Sequence, residues 1–212
     1  MDQKSVSGSL KIIRWSAVVL ILVLSIWVAI STAQKQQVEA TGRADIGGQF
    51  ELVDQDGKTV TEANFLGRPM LIYFGYAYCP DVCPTALQVM GAAMEMIGSD
   101  ADKIQPVFIT IDPKRDTPEL LAQYVASNGF PKKLTGLTGT PQQTQAAAKV
   151  WRVIYQRSSE TRGEDDYLMD HSSIIYLMAA DGEFVSAFSH ADSPQIVAKC
   201  LTDHLAGKIC RR

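Results

Sequence analysis

The chain has 212 residues, of which 46% are apolar, and carries a formal net charge of −3. Residues 1–33 have a balance of +2, because three basic residues stand against Asp2, so the remainder carries −5. An acidic main part excludes nucleic acid as the principal partner, since binding to phosphate backbones requires basic patches. Length and composition fit one globular domain with a short additional segment.

The first feature along the chain is an uncharged apolar run, residues 15–30, which follows Lys11 and Arg14. It predicts one transmembrane helix, because about 20 apolar residues span a bilayer. The basic flank stays cytoplasmic, so the main domain is expected across the membrane, where disulfides persist. The alternative is a cleaved signal peptide, since residues 31–33 offer small residues at a cleavage site.

Three regions are therefore predicted. Residues 1–33 form a cytoplasmic tail and anchor, residues 34–45 a polar linker, and residues 46–212 the folded domain. Within the domain, alternating residues around Asp56-Gly57 predict an N-terminal β-hairpin. The elements expected after it are a strand at 70–76, a helix at 84–98, a strand at 104–112, helices at 117–129 and 140–151, a short strand at 153–156, a hairpin at 172–188 and a helix at 193–207.

This order predicts an α/β fold, a mixed sheet flanked by helices. The near-continuous apolar run at 70–76 is typical of a strand buried on both faces. A cysteine pair lies where this strand meets the first helix, which is the thioredoxin-like arrangement. The helix is expected to begin at Pro84, where a missing amide costs no bond, so that Cys83 is its N-cap residue. The helix N-terminus would then stabilise a thiolate at Cys83.

Cys79 and Cys83 are separated by three residues, and each is followed by a proline. The pair could be a structural disulfide, a redox couple or part of a metal site. A structural bridge over so short a loop gains little. Thioredoxin-type oxidoreductases have two intervening residues, whereas a wider pair of soft sulfurs suits Cu(I), and an added imidazole extends this to Cu(II).

The third candidate ligand is His171, which precedes the predicted strand SSIIYLMA. In a thioredoxin-like fold the loop before that strand passes over the cysteine pair. An imidazole facing two thiolates would make a copper site, although a surface histidine at a strand end is an equally open interpretation. His190 and His204 are expected to face solvent.

Four stretches occur in an order that resembles the Sco (SenC) family of membrane-anchored copper proteins. They are GGQFELVDQDG, YFGYAYCPDVCPTAL, ITIDPKRDTPE and DYLMDHSSIIYLM. The resemblance implies one copper ion, Cu(I) or Cu(II), bound by Cys79, Cys83 and His171. It also implies an inner-membrane location with the main domain in the bacterial periplasm or the mitochondrial intermembrane space.

The resemblance further implies metallation of the dinuclear copper centre in subunit II of cytochrome c oxidase. The chain would act as a copper chaperone, with another periplasmic copper chaperone as a candidate partner, or as a thiol-disulfide reductase of the subunit's cysteines. Both alternatives stay open, and with them the question of whether the chain is an enzyme. A peroxidase-like thiol enzyme is disfavoured because no Arg is near the pair in sequence. Residues 112–118 match a family motif and are interpreted as a helix-entrance turn.

Cys200 and Cys210 are not part of the family pattern. In an oxidising compartment they would either bridge to each other, holding the C-terminal tail against the last helix, or remain free thiols.

Overall fold

The computed structural model describes Trp15 and residues 20–27, 46–159, 163 and 166–210. The chain divides into two compact units, Met1–Ala44 and Asp45–Arg212. In the first unit, residues 20–27 are helical and exposed. No helix in the described ranges has the length and apolar character needed to cross a membrane. The rest of the predicted 15–30 anchor and the predicted 34–45 linker lie outside the described residues.

In the second unit, the strands are β1 (Glu51–Asp54), β2 (Thr59–Thr61), β3 (Met70–Gly75), β4 (Gln105–Thr110), β5 (Thr135–Thr138), β6 (Tyr155–Arg157), β7 (Met169–His171), β8 (Ile174–Met178) and β9 (Phe184–Ser189). The α-helices are α1 (Val82–Met96), α2 (Pro118–Val125), α3 (Pro141–Val150) and α4 (Pro194–Leu205). Short 3-10 helices lie at Glu62–Asn64 and Gly98–Lys103.

Seven of the described strands form one mixed sheet in the order β2-β1-β5-β4-β3-β8-β9. β3, β4 and β5 are parallel, whereas the β1–β2 and β8–β9 hairpins add antiparallel strands at the two edges. The α/β prediction of a mixed sheet with an N-terminal hairpin is confirmed. β3 lies between β4 and β8, and all six of its residues are buried, which explains why its sequence is apolar without alternation.

One strand of this sheet, β5, and the end of the helix α2 differ from the sequence-based expectation. β5 was not predicted, because its four residues, TGLT, are too short and too glycine-containing to give a periodic signal. Gly136 is nevertheless required there, since a β-carbon would lie 2.9 Å from the Val125 side chain. The predicted helix at 117–129 ends at Val125, with Ala126 as its C-cap residue.

β6 and β7 form a separate two-stranded sheet, the histidine ribbon. Its register pairs Tyr155 with His171 and Arg157 with Met169. His171 therefore belongs to a short strand of its own and not to the loop that was predicted before β8. Only Ser172 and Ser173 separate it from Ile174, the first residue of β8.

α4 is the last helix of the domain and precedes the C-terminal tail. α4 packs against α1, and Ser193 precedes it as predicted. Cys200 on α4 and Cys210 in the tail form a disulfide, with their Cα atoms 4.7 Å apart. The bridging alternative is therefore the observed one, and the tail is tied to the helix.

Candidate metal centre

The cysteine turn connects the end of β3 to the start of α1. The helix begins at Val82 with Asp81 as N-cap, two residues earlier than the predicted start at Pro84. The prediction that Cys83 is the N-cap residue is therefore wrong. Pro84 is tolerated as the third helical residue because the amides of the first turn have no intrahelical acceptor, and the first regular bond runs from the Thr85 amide to the Asp81 carbonyl.

Cys83 lies fully buried against the sheet, whereas Cys79 is half-buried on the turn. Gly75 makes the position of Cys83 possible, since a β-carbon at residue 75 would lie 2.8 Å from the Cys83 sulfur. Both cysteines are free thiols, so the structural-disulfide interpretation does not describe this state of the pair.

His171 approaches the cysteines from the histidine ribbon. Its Nε2 atom lies 3.4 Å from the Sγ atom of Cys83, although 88 positions separate the two residues in sequence. Its Nδ1 atom lies 3.1 Å from the carbonyl oxygen of Ser172, which can only accept a hydrogen bond. Nδ1 therefore donates to this carbonyl, and Nε2 is the ring nitrogen that faces the sulfurs.

The three predicted ligands converge. One ligand atom from each of Cys79, Cys83 and His171 lies within 4.8 Å of the other two. Bonds of about 2.0–2.3 Å, the lengths that Zn²⁺ makes to nitrogen and sulfur, place two ligands of one ion at most about 4.6 Å apart. The separations of the three ligand atoms are therefore of the order that one bound ion requires.

The donor set also decides which ion fits. Among the residues that the structure describes, no fourth Cys, His, Asp or Glu joins this group. Two sulfurs and one imidazole form an open set of three, unlike the four ligands of a structural zinc site. Thiolate softness with a single imidazole fits copper.

The pKa values of the two cysteines are shifted in opposite directions, which makes Cys79 the thiolate. The sequence had predicted the thiolate at Cys83. The pKa of Cys79 is lowered to about 4, chiefly by a hydrogen bond from the Cys83 thiol, with further donors from His171 and the amides of Asp81 and Cys83. The Cys83 amide lies 3.3 Å from the Cys79 sulfur. The pKa of Cys83 is raised, because its proton is held by the Cys79 thiolate and its sulfur is buried. The helix N-terminus thus stabilises the thiolate of Cys79, not of Cys83.

The turn after β4, which the sequence matched to a family motif, supports the cysteine turn. Asp116 is fully buried, and its Oδ2 atom accepts hydrogen bonds from the Ala77 amide at 3.0 Å and the Thr110 hydroxyl at 2.6 Å. Thr117 caps α2 as predicted, accepting from the Leu120 amide. The predicted turn is confirmed, but its support of the cysteine turn was not foreseen.

The same turn also reaches the chain that leads into the histidine ribbon. Asp112 pairs with Arg115 and accepts a hydrogen bond from the Tyr167 hydroxyl at 2.7 Å. Arg115 donates to the Tyr167 carbonyl at 3.0 Å, and its guanidinium carbon lies 3.6 Å from the centre of the Tyr167 ring. One turn therefore contacts both halves of the candidate metal centre. No signal in the sequence gave these partners, since they lie about 50 positions apart.

The other two histidines are not part of the metal cluster. Both are half-buried, so the expectation that they face solvent is wrong. The Nδ1 atom of His190 is buried, and burial lowers the pKa of His204.

The comparisons with known proteins agree with this centre. A model of the SCO1/SenC family matches residues 38–206. The chain is 41% identical, over 150 residues, to "Protein SCO1 homolog 1, mitochondrial" from Arabidopsis thaliana. This match covers 70% of the chain but only 44% of the Arabidopsis protein, so the chain spans less than half of that relative's length.

Two solved structures are also similar. ScoI of Bradyrhizobium japonicum with copper bound is 43% identical, with a TM-score of 0.67, and the match covers 74% of this chain and 98% of that one. Yeast Sco1 with copper bound is 35% identical, with a TM-score of 0.70 and coverage of 78% and 91%.

Proposed function

Because the chain belongs to the SCO1/SenC family, we propose that it binds one copper ion and delivers it during assembly of the dinuclear copper centre in cytochrome c oxidase subunit II. Cys79, Cys83 and His171 are the proposed ligands. The observation that carries the proposal is their convergence, with all three ligand atoms within 4.8 Å of one another.

The burial of the ligands gives the site one open side. Cys83 is fully buried, whereas Cys79 and His171 are half-buried. Copper is the cargo here, so ligands of the target must reach it. An incoming thiolate of the target would reach the copper past the half-buried Cys79 and His171. The buried Cys83 would meanwhile keep its bond to the ion. Replacement of one ligand at a time then transfers the ion without releasing it into water.

A second candidate function is favoured by the unequal thiols. The Cys79 thiolate is the nucleophile that attacks a disulfide of the target, forming a mixed disulfide and releasing one target thiolate. Cys83 then attacks the Cys79 sulfur and releases the second target thiolate. The target disulfide gains two electrons, and Cys79–Cys83 becomes the oxidised disulfide. This reductase function needs neither copper nor His171.

The two functions are separated by His171→Ala. The full-length chain is titrated with Cu(II) without oxygen, and the thiolate-to-copper absorption is recorded. We expect the variant to lose this absorption and most of its Cu(II) affinity, whereas His204→Ala, a histidine remote in sequence, behaves as the unchanged chain. Normal Cu(II) binding by His171→Ala would overturn the three-ligand site.

Assembly is tested in a bacterial host that lacks its own family member. Chaperone function predicts that His171→Ala leaves subunit II without copper although its cysteines are reduced. Reductase function predicts that His171→Ala restores assembly and that Cys79→Ser does not.

We also propose where the chain is located, from its family and from the apolar segment at residues 15–30. Residues 15–30 would anchor the chain in the inner membrane, with residues 34–45 as linker and residues 46–212 in the periplasm or the equivalent intermembrane space. The Cys200–Cys210 disulfide supports an oxidising compartment. Alkaline extraction should leave the chain in the membrane fraction, and protease added to spheroplasts should remove the main domain. Release by alkali would contradict the anchor.

A further inference from the structure

Two tyrosines, Tyr73 in β3 and Tyr76 directly after it, contact the imidazole ring of His171. The ring of Tyr73 and the ring of Tyr76 each meet the imidazole edge-on, with both centroid distances at 6.1 Å. Tyr73 is fully buried and Tyr76 is 2% exposed. Their rings therefore restrict how the imidazole can tilt.

The hydroxyl groups of these tyrosines hold the chain before and after His171. The Tyr76 hydroxyl accepts a hydrogen bond from the Met169 amide at 3.1 Å, two residues before the histidine. The Tyr73 hydroxyl lies 3.4 Å from the Ser173 hydroxyl, two residues after it. Both contacts start from the strand that leads directly into the cysteine turn.

The histidine ribbon needs such contacts. Within the described residues, β6 and β7 pair with each other and not with the seven-stranded sheet. Hydrogen bonds of the seven-stranded sheet therefore hold the strand that leads into the cysteine turn but not the strand that carries His171. Tyr73 and Tyr76 connect the two sides at the level of the ligands.

We propose that Tyr73 and Tyr76 are positioning residues of the copper site, which hold the imidazole of His171 at bonding distance from the cysteine sulfurs. The inference rests on the proposed role of His171 as a copper ligand. Neither tyrosine touches the ion in this proposal; each acts through the main chain and ring of the histidine segment. The Tyr73 hydroxyl also hydrogen-bonds with Cys83, and the Tyr76 hydroxyl with Cys79, so the test must separate the two routes.

The test uses Tyr73→Phe, Tyr76→Phe and the double variant in the full-length chain. Each change removes one hydroxyl and keeps the ring. Tyr124→Phe is the matched control, because the Tyr124 hydroxyl is also buried but has no hydrogen-bond partner within the described residues. Melting temperatures without metal verify that all variants are folded.

We expect the double variant to bind Cu(II) about tenfold more weakly than Tyr124→Phe, the effect typical of losing an outer contact to a metal ligand. Its thiolate-to-copper absorption should shift, whereas its Cu(I) affinity should change much less, since two thiolates suffice for Cu(I). In a His171→Ala background the tyrosine changes should have no further effect on Cu(II) affinity, because they act through that histidine.

Three results would overturn the inference. The double variant could bind Cu(II) as Tyr124→Phe does, or its loss of affinity could persist in the His171→Ala background, which would show that the hydroxyls act on the cysteine sulfurs and not through the histidine. If His171→Ala itself left Cu(II) binding unchanged, the proposed ligand set would fail together with the inference. In the first two cases the proposed function would stand.

Discussion

The two halves of the metal centre are built differently. The cysteine half follows a central strand whose residues are all buried, and the turn that carries Cys79 is held by the buried carboxylate of Asp116. The histidine half is a two-stranded ribbon outside the seven-stranded sheet, joined to it by the two serines before β8 and by contacts such as the Met169–Tyr76 hydrogen bond. We infer that the cysteine half determines whether copper binds at all, whereas the histidine half determines the preference between Cu(I) and Cu(II).

The largest expected effect comes from breaking the connection between the halves. Asp112→Asn removes the charge that pairs with Arg115, and the two side chains are only 5% and 11% exposed. Loss of one partner of a buried pair should cost about 3 kcal/mol of unfolding free energy. Urea unfolding measures this loss. Lys58, whose exposed pair with Asp56 should contribute little, gives the control Lys58→Gln.

The next effect concerns the cysteine half alone. Gly75→Ala places a methyl group 2.8 Å from the Cys83 sulfur and 2.9 Å from the Tyr73 ring. Overpacking of this kind should cost about 2 kcal/mol and displace the sulfur. Cu(I) and Cu(II) affinity should both fall, measured by competition with a chelator. Gly163→Ala, where the nearest atom is 4.0 Å away, should change neither. A loss confined to Cu(II) would contradict the assignment of Cys83 to both states.

The C-terminal disulfide should affect stability without affecting the centre. Replacing Cys200 and Cys210 together by alanine opens a loop with a sequence separation of 10. The chain-entropy argument gives a loss of up to about 2.7 kcal/mol, seen as a lower urea midpoint. Copper affinity should be unchanged, and a parallel loss of copper would show that α4 helps to position α1.

The smallest expected effect is a pH dependence that comes from Asp116. Burial raises its pKa to about 6, above the ordinary value of 3.8. The folded state therefore takes up this proton before the unfolded state does, and its stability rises as the pH falls through about 6. Between about pH 7 and pH 5 the gain should be about 1 kcal/mol. It should be absent from Asp116→Asn, so the difference between the two unfolding curves isolates it.

The sequence predicted those parts of the fold that have local signals. The apolar run of β3 and the Thr117 and Thr140 caps were assigned correctly, since each depends on residues within one turn or strand. β5 was missed because four residues with an internal glycine have no detectable period. The helix was predicted to start at Pro84 but starts at Val82. A proline fits at any of the first three helical positions, because none of their amides has an intrahelical acceptor, so Pro84 alone did not fix the start.

The three candidate ligands were named from the sequence, and the structure brings them together, but their surroundings were not predicted. The spacing of Cys79 and Cys83 and the family motif around His171 gave these candidates before any geometry was known. The thiolate was assigned to the wrong cysteine, because which sulfur the helix amides reach depends on the path of the turn. The contacts from Tyr73 and Tyr76 to the histidine segment span about 100 positions and depend on how strands from distant parts of the chain are paired.

The separation of 88 positions between Cys83 and His171 has a consequence for the order of events during biogenesis. A chain that is still emerging or only partly folded offers the metal two neighbouring sulfurs and no imidazole. With the proposed ligands, full coordination would require that β8 has joined β3, so a loaded site would report that tertiary structure is complete. Copper would then bind the folded domain more tightly than any partly folded form. Such binding would also raise the stability of the folded domain.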